Sequence, residues 1–180
     1  MTKIFIEAKS KDTSECHFIQ TIINLISPEM EVDFIPMNGI GNLFKEAILN
    51  QIKVAQEIGE QVIVFADADT ITKKYGYVKR KGEIDKGMEV NAVSFPYFLY
   101  PNNQDDGDVE ILMEAAARQD LHPVFFGCFK DYEICVSGAK DDVGNPKYNV
   151  PSLKNKLHTY MAAQNLSRKY RDRFGKGDWL

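Results

Sequence analysis

With 180 residues, 44% of them hydrophobic, and a formal net charge of −4, the chain is long enough to bury its own core as one domain and is not a globally basic nucleic-acid binder. A local basic groove is compatible with that charge. Its three cysteines, Cys16, Cys128 and Cys135, lack the spacing of a disulfide framework or a zinc site, which predicts reduced, mostly buried thiols. Charged Glu7 interrupts the N-terminus before a signal-peptide core can form, and no apolar run approaches transmembrane length. The expectation is a cytoplasmic protein with no membrane partner.

The chain opens on Lys3-Ile-Phe-Ile-Glu7, a short apolar run ending in an acid, read as a strand. Asp12 with Glu15 forms a capping box for a helix whose apolar face uses Phe18, Ile19, Ile22, Ile23 and Ile26, and Pro28 stops it. Glu31 to Met37 alternates imperfectly and predicts a second, more peripheral strand. Asn38-Gly-Ile-Gly41 is a turn opening a helix with Leu43, Phe44, Ala47, Ile48, Ile52, Ala55 and Ile58 at helical spacing, capped by Gly59. Two glycines with no third, and no Lys-Ser/Thr, mark a plain turn rather than a phosphate loop. A third strand follows, then an irregular region from Thr70 to Asn91, then a fourth strand from Ser94 to Tyr100. Helices are predicted over Gly107 to Gln119, Pro123 to Val136 and Ser152 to Asn165. Successive strand-helix units imply right-handed crossovers, and so an α/β fold with a mostly parallel four-stranded sheet covered by helices. The expected organisation is a single domain, with a core over about 1–122 and a helical C-terminal extension over about 123–180.

The third strand is the most informative segment. Val62-Ile-Val-Phe-Ala-Asp67-Ala-Asp69 is a short run of β-branched and aromatic residues that ends abruptly in two carboxylates. Its composition suits a strand buried on both faces of a parallel sheet. Side chains alternate along a strand, which places Asp67 and Asp69 on the same side. Two readings fit: a solvated turn, or a pair of repelling carboxylates relieved by a hard cation such as Mg²⁺. Glu7 favours the second. Ligands of open α/β sheets bind outside the carboxyl ends of strands. If the first and third strands are parallel neighbours, Glu7, Asp67 and Asp69 share one edge.

The order strand-Glu, helix, strand, helix, strand-Asp-x-Asp resembles the Toprim domain, a Rossmann-like fold of topoisomerases, DnaG-type primases and OLD-family nucleases. More narrowly, Phe98-Leu-Tyr-Pro-Asn-Asn103 with Gly107-Asp-Val-Glu110, Cys128-Phe-Lys-Asp-Tyr-Glu and Lys154-Asn-Lys156-Leu-His-Thr-Tyr resembles a family of small stand-alone Toprim-like proteins of unknown function. The resemblance spans nearly the whole chain and rests on motif order. It departs at Ala8, where Toprim domains usually carry Gly, and in lacking the acid-rich continuation of topoisomerases. Both departures count against topoisomerase or primase chemistry. The resemblance implies a Mg²⁺ site, with Mn²⁺ as a substitute, on Glu7, Asp67 and Asp69, with Glu110 as an outer or second-metal ligand. It also implies a role for Lys156 in stabilising transition-state charge, by similarity to lysines that follow the Toprim core in OLD nucleases. As a first-turn helix residue, Glu110 is equally explained by the helix dipole. Asp105, Asp106 and Asp108 read as caps and turn residues, and Asn102 and Asn103 as turn chemistry.

Two basic segments bear on the substrate. Lys73, Lys74, Lys79, Arg80, Lys81 and Lys86 are interleaved with Tyr75 and Tyr77, and a C-terminal run holds Lys154, Lys156, Arg168, Lys169, Arg171, Arg173 and Lys176. Charge runs are usually solvated faces. Beside a carboxylate site they would retain a polyanion through its phosphates. His158, alone on a Lys-rich helix, reads as structural. The leading expectation is a metal-dependent nuclease or other phosphoryl-transfer enzyme acting on nucleic acid. A second class is a non-catalytic metal- or nucleotide-binding regulatory module, working with a protein partner such as an ATPase in phage defence. A lower-ranked third is a haloacid-dehalogenase-like phosphatase, whose Asp-x-Asp-x-Thr/Val motif is approached by Asp67-Ala-Asp69-Thr-Ile. That fold, however, sets the motif on its first core strand.

Overall fold

A computed structural model describes residues 1–165. Four strands form one sheet in the order β2-β1-β3-β4, all parallel: β1 (Thr2–Ile6), β2 (Val32–Pro36), β3 (Gln61–Asp67) and β4 (Tyr97–Tyr100). Among the described residues six α-helices accompany them: α1 (Ser14–Ile26), α2 (Glu46–Glu57), α3 (Tyr77–Asn91), α4 (Val109–Ala116), α5 (Pro123–Gly138) and α6 (Leu153–Ala163). This is the expected α/β fold, with β2 on the edge as its weak pattern suggested. No helix among the described residues is long and apolar enough to cross a membrane.

The apolar runs behave as their composition dictates. Ile4, Phe5 and Ile6 of β1 and Val62, Val64 and Ala66 of β3 are nearly inaccessible to solvent. Phe5, Val62, Val64, Ala66 and Ala68 pack with Ile48, Ile52 and Ala55 of α2 and Ile84 of α3 in one apolar cluster. On β3 and β4, Phe65, Phe98 and Tyr100 form a separate group of rings, with centroids 5.7 to 6.0 Å apart. Strand alternation sets Phe65 and Asp67 on the opposite face from Ala66.

Several local expectations are corrected. Thr13, not Asp12, caps α1: its Oγ1 accepts the Cys16 N–H at 3.4 Å, while Asp12 pairs with His17. A short 3₁₀ turn, Ile40–Asn42, intervenes before α2, which starts at Glu46. The region taken as irregular is largely α3, a 15-residue helix. Its inward face is carried by Ile84 and, unexpectedly, Arg80, so no apolar periodicity announces it. Its first N–H is served from a distance, since Asp106 accepts from the Tyr77 N–H at 2.7 Å. Only Cys16 is a buried thiol, because Cys128 and Cys135 face solvent on α5, a helix with Phe129 as its buried residue.

The chain divides into two compact units, Met1–Leu112 and Met113–Leu180. The sheet belongs to the first. In the second, the Phe125 and Phe126 rings lie 5.1 and 5.0 Å from Tyr160, and Leu157, Tyr160 and Met161 of α6 are buried. Ser152 caps α6 by accepting the Asn155 N–H.

Candidate functional site

The strand order puts a topological switch point between β1 and β3, since the chain runs from β1 outward to β2 and then returns to β3 on the other side. Parallel sheets open a crevice at the carboxyl ends of such a pair. Ile6 of β1 is in register with Phe65 of β3. Glu7, one residue beyond β1, and Asp67, the last residue of β3, therefore both stand at this edge. They touch: the Glu7 carboxylate accepts a hydrogen bond from the Asp67 backbone N–H at 3.2 Å. One Asp67 oxygen is fixed by the Val109 N–H at the start of α4, at 3.0 Å. The residue after Val109 is Glu110, so the first turn of α4 adds a third acid, whose charge acts on Asp67.

The electrostatics are those of crowded carboxylates. Asp67 is pushed up to about 8, first by burial and then by the charge of Glu7; the Val109 N–H opposes this, while Glu110 and Glu15 add to it. Asp108 is also raised, by burial and then by Glu110. The Tyr100 phenol is held well above its ordinary value by burial and by Glu15, and stays protonated.

Asp69 is held differently. β3 ends at Asp67, and Asp69 adopts a left-handed backbone conformation, φ +60°. The alternation that would have aimed it alongside Asp67 therefore no longer applies. Its backbone is pinned by two reciprocal hydrogen bonds with Gly107, at 2.7 and 2.8 Å. Both carboxylate oxygens are engaged by cations, Oδ1 by the Lys73 ammonium at 3.0 Å and Oδ2 by the Arg80 guanidinium at 2.9 Å. Among the described residues no three His, Cys, Asp or Glu side chains are gathered in position to hold a metal ion. The donors at the edge nevertheless suit a hard divalent cation of the Mg²⁺ type, which is satisfied by one or two carboxylates and completes its shell with water. Glu7 and Asp67 are the acids at this edge that could serve, with Glu110 as the nearby third acid.

Lys156 lies in the second unit. Its ammonium is 2.7 Å from the Glu114 carboxylate and sits over the Phe126 and Phe129 rings at 5.8 and 5.7 Å. His158 is exposed on the same helix. The turn residues do turn chemistry. Asn102 Oδ1 accepts from the Gln104 and Asp105 N–H groups, and Asn103, also left-handed, accepts from the Leu99 N–H. Asp141 accepts from Val143 and Asn145 in an exposed turn. Of the basic segments, Arg168, Lys169, Arg171, Arg173 and Lys176 lie outside the described residues. In the α3 segment, Arg80 is 6% exposed, Lys81 is paired with Asp85, and Lys79 lies 4.8 Å from the Tyr75 ring centroid.

Comparison with protein-family models, with curated proteins and with solved structures finds no match to this chain.

Proposed function

We propose that the carboxyl edge of β1 and β3 is a Toprim-like, Mg²⁺- or Mn²⁺-dependent phosphoryl-transfer site that cleaves nucleic acid. The observation that carries this reading is the contact of Glu7 with Asp67 at the sheet's switch point, where α/β proteins bind ligands. Glu7 and Asp67 would hold the cation, and Glu110 would complete or buttress the set. A divalent cation there would polarise the phosphate and lower the pKa of a bound water. The chain's own residues orient the ligands: Val109 holds one Asp67 oxygen, and the Asp67 N–H holds the Glu7 carboxylate. The test is Mg²⁺- or Mn²⁺-dependent cleavage of single- and double-stranded DNA and RNA, with Asp67→Ala as the control. Cleavage that needs the metal and is lost in the variant is the expected result. Absence of cleavage with any of the four substrates would overturn it.

A second reading is favoured by the engagement of Asp69, which leaves the cluster one ligand short of a Glu/Asp-x-Asp triad. On this reading the edge binds a metal or nucleotide without turnover, as a regulatory module for a partner such as an ATPase. Cation binding without cleavage would select it. The haloacid-dehalogenase-like reading has the least support. The second Asp of its motif, Asp69, is ion-paired to Arg80 and Lys73.

A further inference from the structure

Both carboxylate oxygens of the second Asp of the Asp67-Ala-Asp69 motif are met by cations, and the geometry around it is built rather than incidental. Arg80 is the buried end. It donates to Asp69 and to Glu83, at 2.9 and 3.1 Å, and its guanidinium carbon lies 4.1 Å from the Tyr75 ring centroid. Burying a guanidinium is costly unless its charge is met, and Asp69 is the less exposed of its two carboxylate partners. Asp69 is the middle. Its backbone cannot swing, because Gly107 holds both its N–H and its carbonyl. Lys73 is the solvent end, with a side chain 57% exposed and an ammonium fixed on the remaining Asp69 oxygen. The charges of Asp108 and Asp67 also act on that ammonium, and its partner Asp69 lies two residues beyond the end of β3.

We propose that Lys73 is the phosphate-binding residue of this site, and that Asp69 and Arg80 are positioning residues that hold its ammonium against the acidic edge to receive a phosphodiester. The assignment rests on the reading that the edge takes a nucleic acid. It replaces Asp69 as a cation ligand by Asp69 as a buttress. It also separates Lys73 from Arg80 and Lys81. Arg80 is too buried to meet a phosphate, and the partner of Lys81 is Asp85 on α3 rather than an acid of the Asp67-Ala-Asp69 motif.

The test is binding of a labelled single-stranded oligodeoxynucleotide in EDTA across a salt series, with Mg²⁺-induced thermal stabilisation measured in parallel. Lys73→Gln, an exposed change that leaves the fold intact, is expected to weaken binding. It should also flatten the slope of log K against log salt by about 0.7, the loss of one single-strand phosphate contact. Lys81→Gln removes the same charge and is expected to leave both unchanged. Asp69→Asn gives the sharpest sign. Removing a negative charge strengthens polyanion binding if Asp69 is merely a nearby acid, and weakens it if Asp69 positions Lys73. In the Lys73→Gln background, Asp69→Asn should then add nothing further, an interaction that a general loss of stability would not produce. Equal effects of Lys73→Gln and Lys81→Gln, stronger binding by Asp69→Asn, or no oligonucleotide binding by the wild type would overturn the assignment. If the wild type cleaves and these variants bind normally, the positioning role fails and the nuclease reading stands. If the variants behave as expected but nothing is cleaved, the reverse holds.

Discussion

The Glu7 carboxylate accepts a hydrogen bond from the backbone N–H of Asp67 at 3.2 Å, so an acid beyond β1 is tied to the strand-end residue of its neighbour. This contact brings a second negative charge against a carboxyl group that is already largely buried. The N–H on Glu7 offsets part of the cost for one member of the pair, and the Val109 N–H offsets part for the other. The remainder is expressed as proton affinity on Asp67.

Stability should therefore fall with rising pH in a way that belongs to Asp67. Its folded value of about 8 lies above the ordinary unfolded value of about 3.9. The native state thus holds a proton that the unfolded state releases over the interval between them. The contribution is complete below about pH 4 and is lost progressively as pH climbs to about 8, on the order of a few kcal/mol in all. Asp67→Asn carries no such proton. Its stability relative to wild type, from urea melts, should rise steadily between pH 5 and 8, and a flat difference would refute the titration of Asp67 in this window.

Millimolar Mg²⁺ or Mn²⁺ should raise the melting temperature of the wild type at pH 8, since a ligand that binds only the native state stabilises it by mass action. The gain should shrink toward pH 6, because the cation must displace the Asp67 proton. Asp67→Asn should lose the response and Asp69→Asn should keep it. Loss of the response in Asp69→Asn would return Asp69 to the ligand set.

The meeting of Glu7 with Asp67 was legible from the chain alone, and the reason is local. β1 and β3 are short apolar runs that end in acids, and a parallel sheet places the ends of neighbouring strands together. Glu7 and Asp67 follow from that without any long-range knowledge. Asp69 does not. Its direction is decided by Gly107, which is remote in sequence, and by Arg80 on a helix that the hydrophobic pattern conceals. An arginine counted as surface occupies the inward face of α3 beside Ile84, and two glycines, Gly82 and Gly87, lower its apparent helix propensity. The one available signal was Asp106, an acid able to cap a helix start from another loop, which no linear pattern connects to Tyr77.

That distant cap makes its own prediction. Asp106 Oδ1 receives the Tyr77 N–H at 2.7 Å at the first turn of α3. Asp106→Ala should cost about 1 kcal/mol, the usual worth of an N-terminal cap, and Asp106→Asn should restore most of it. The same change should speed amide exchange in the first turn of α3 more than in α2. Uniform exchange in both helices would argue against the cap.

Two glycines of α3 should respond to alanine with opposite signs. At Gly82 an added Cβ meets nothing within 4 Å, so Gly82→Ala should stabilise the protein by about 0.5–1 kcal/mol, the ordinary helix-interior gain. At Gly87 the same atom would clash with Cε2 of Phe44. That ring is stacked on buried Phe95 with centroids 6.3 Å apart, so it cannot move without disturbing the cluster between α3 and the sheet. Overpacking of this kind costs about 1–3 kcal/mol and outweighs the propensity gain, so Gly87→Ala should be net destabilising. Phe44→Leu in the Gly87→Ala background should recover part of the loss, because it clears the space that the new methyl needs. Urea melts of the four proteins decide the matter: equal, positive shifts for Gly82→Ala and Gly87→Ala would mean that the Phe44 ring does not pack against α3 as described.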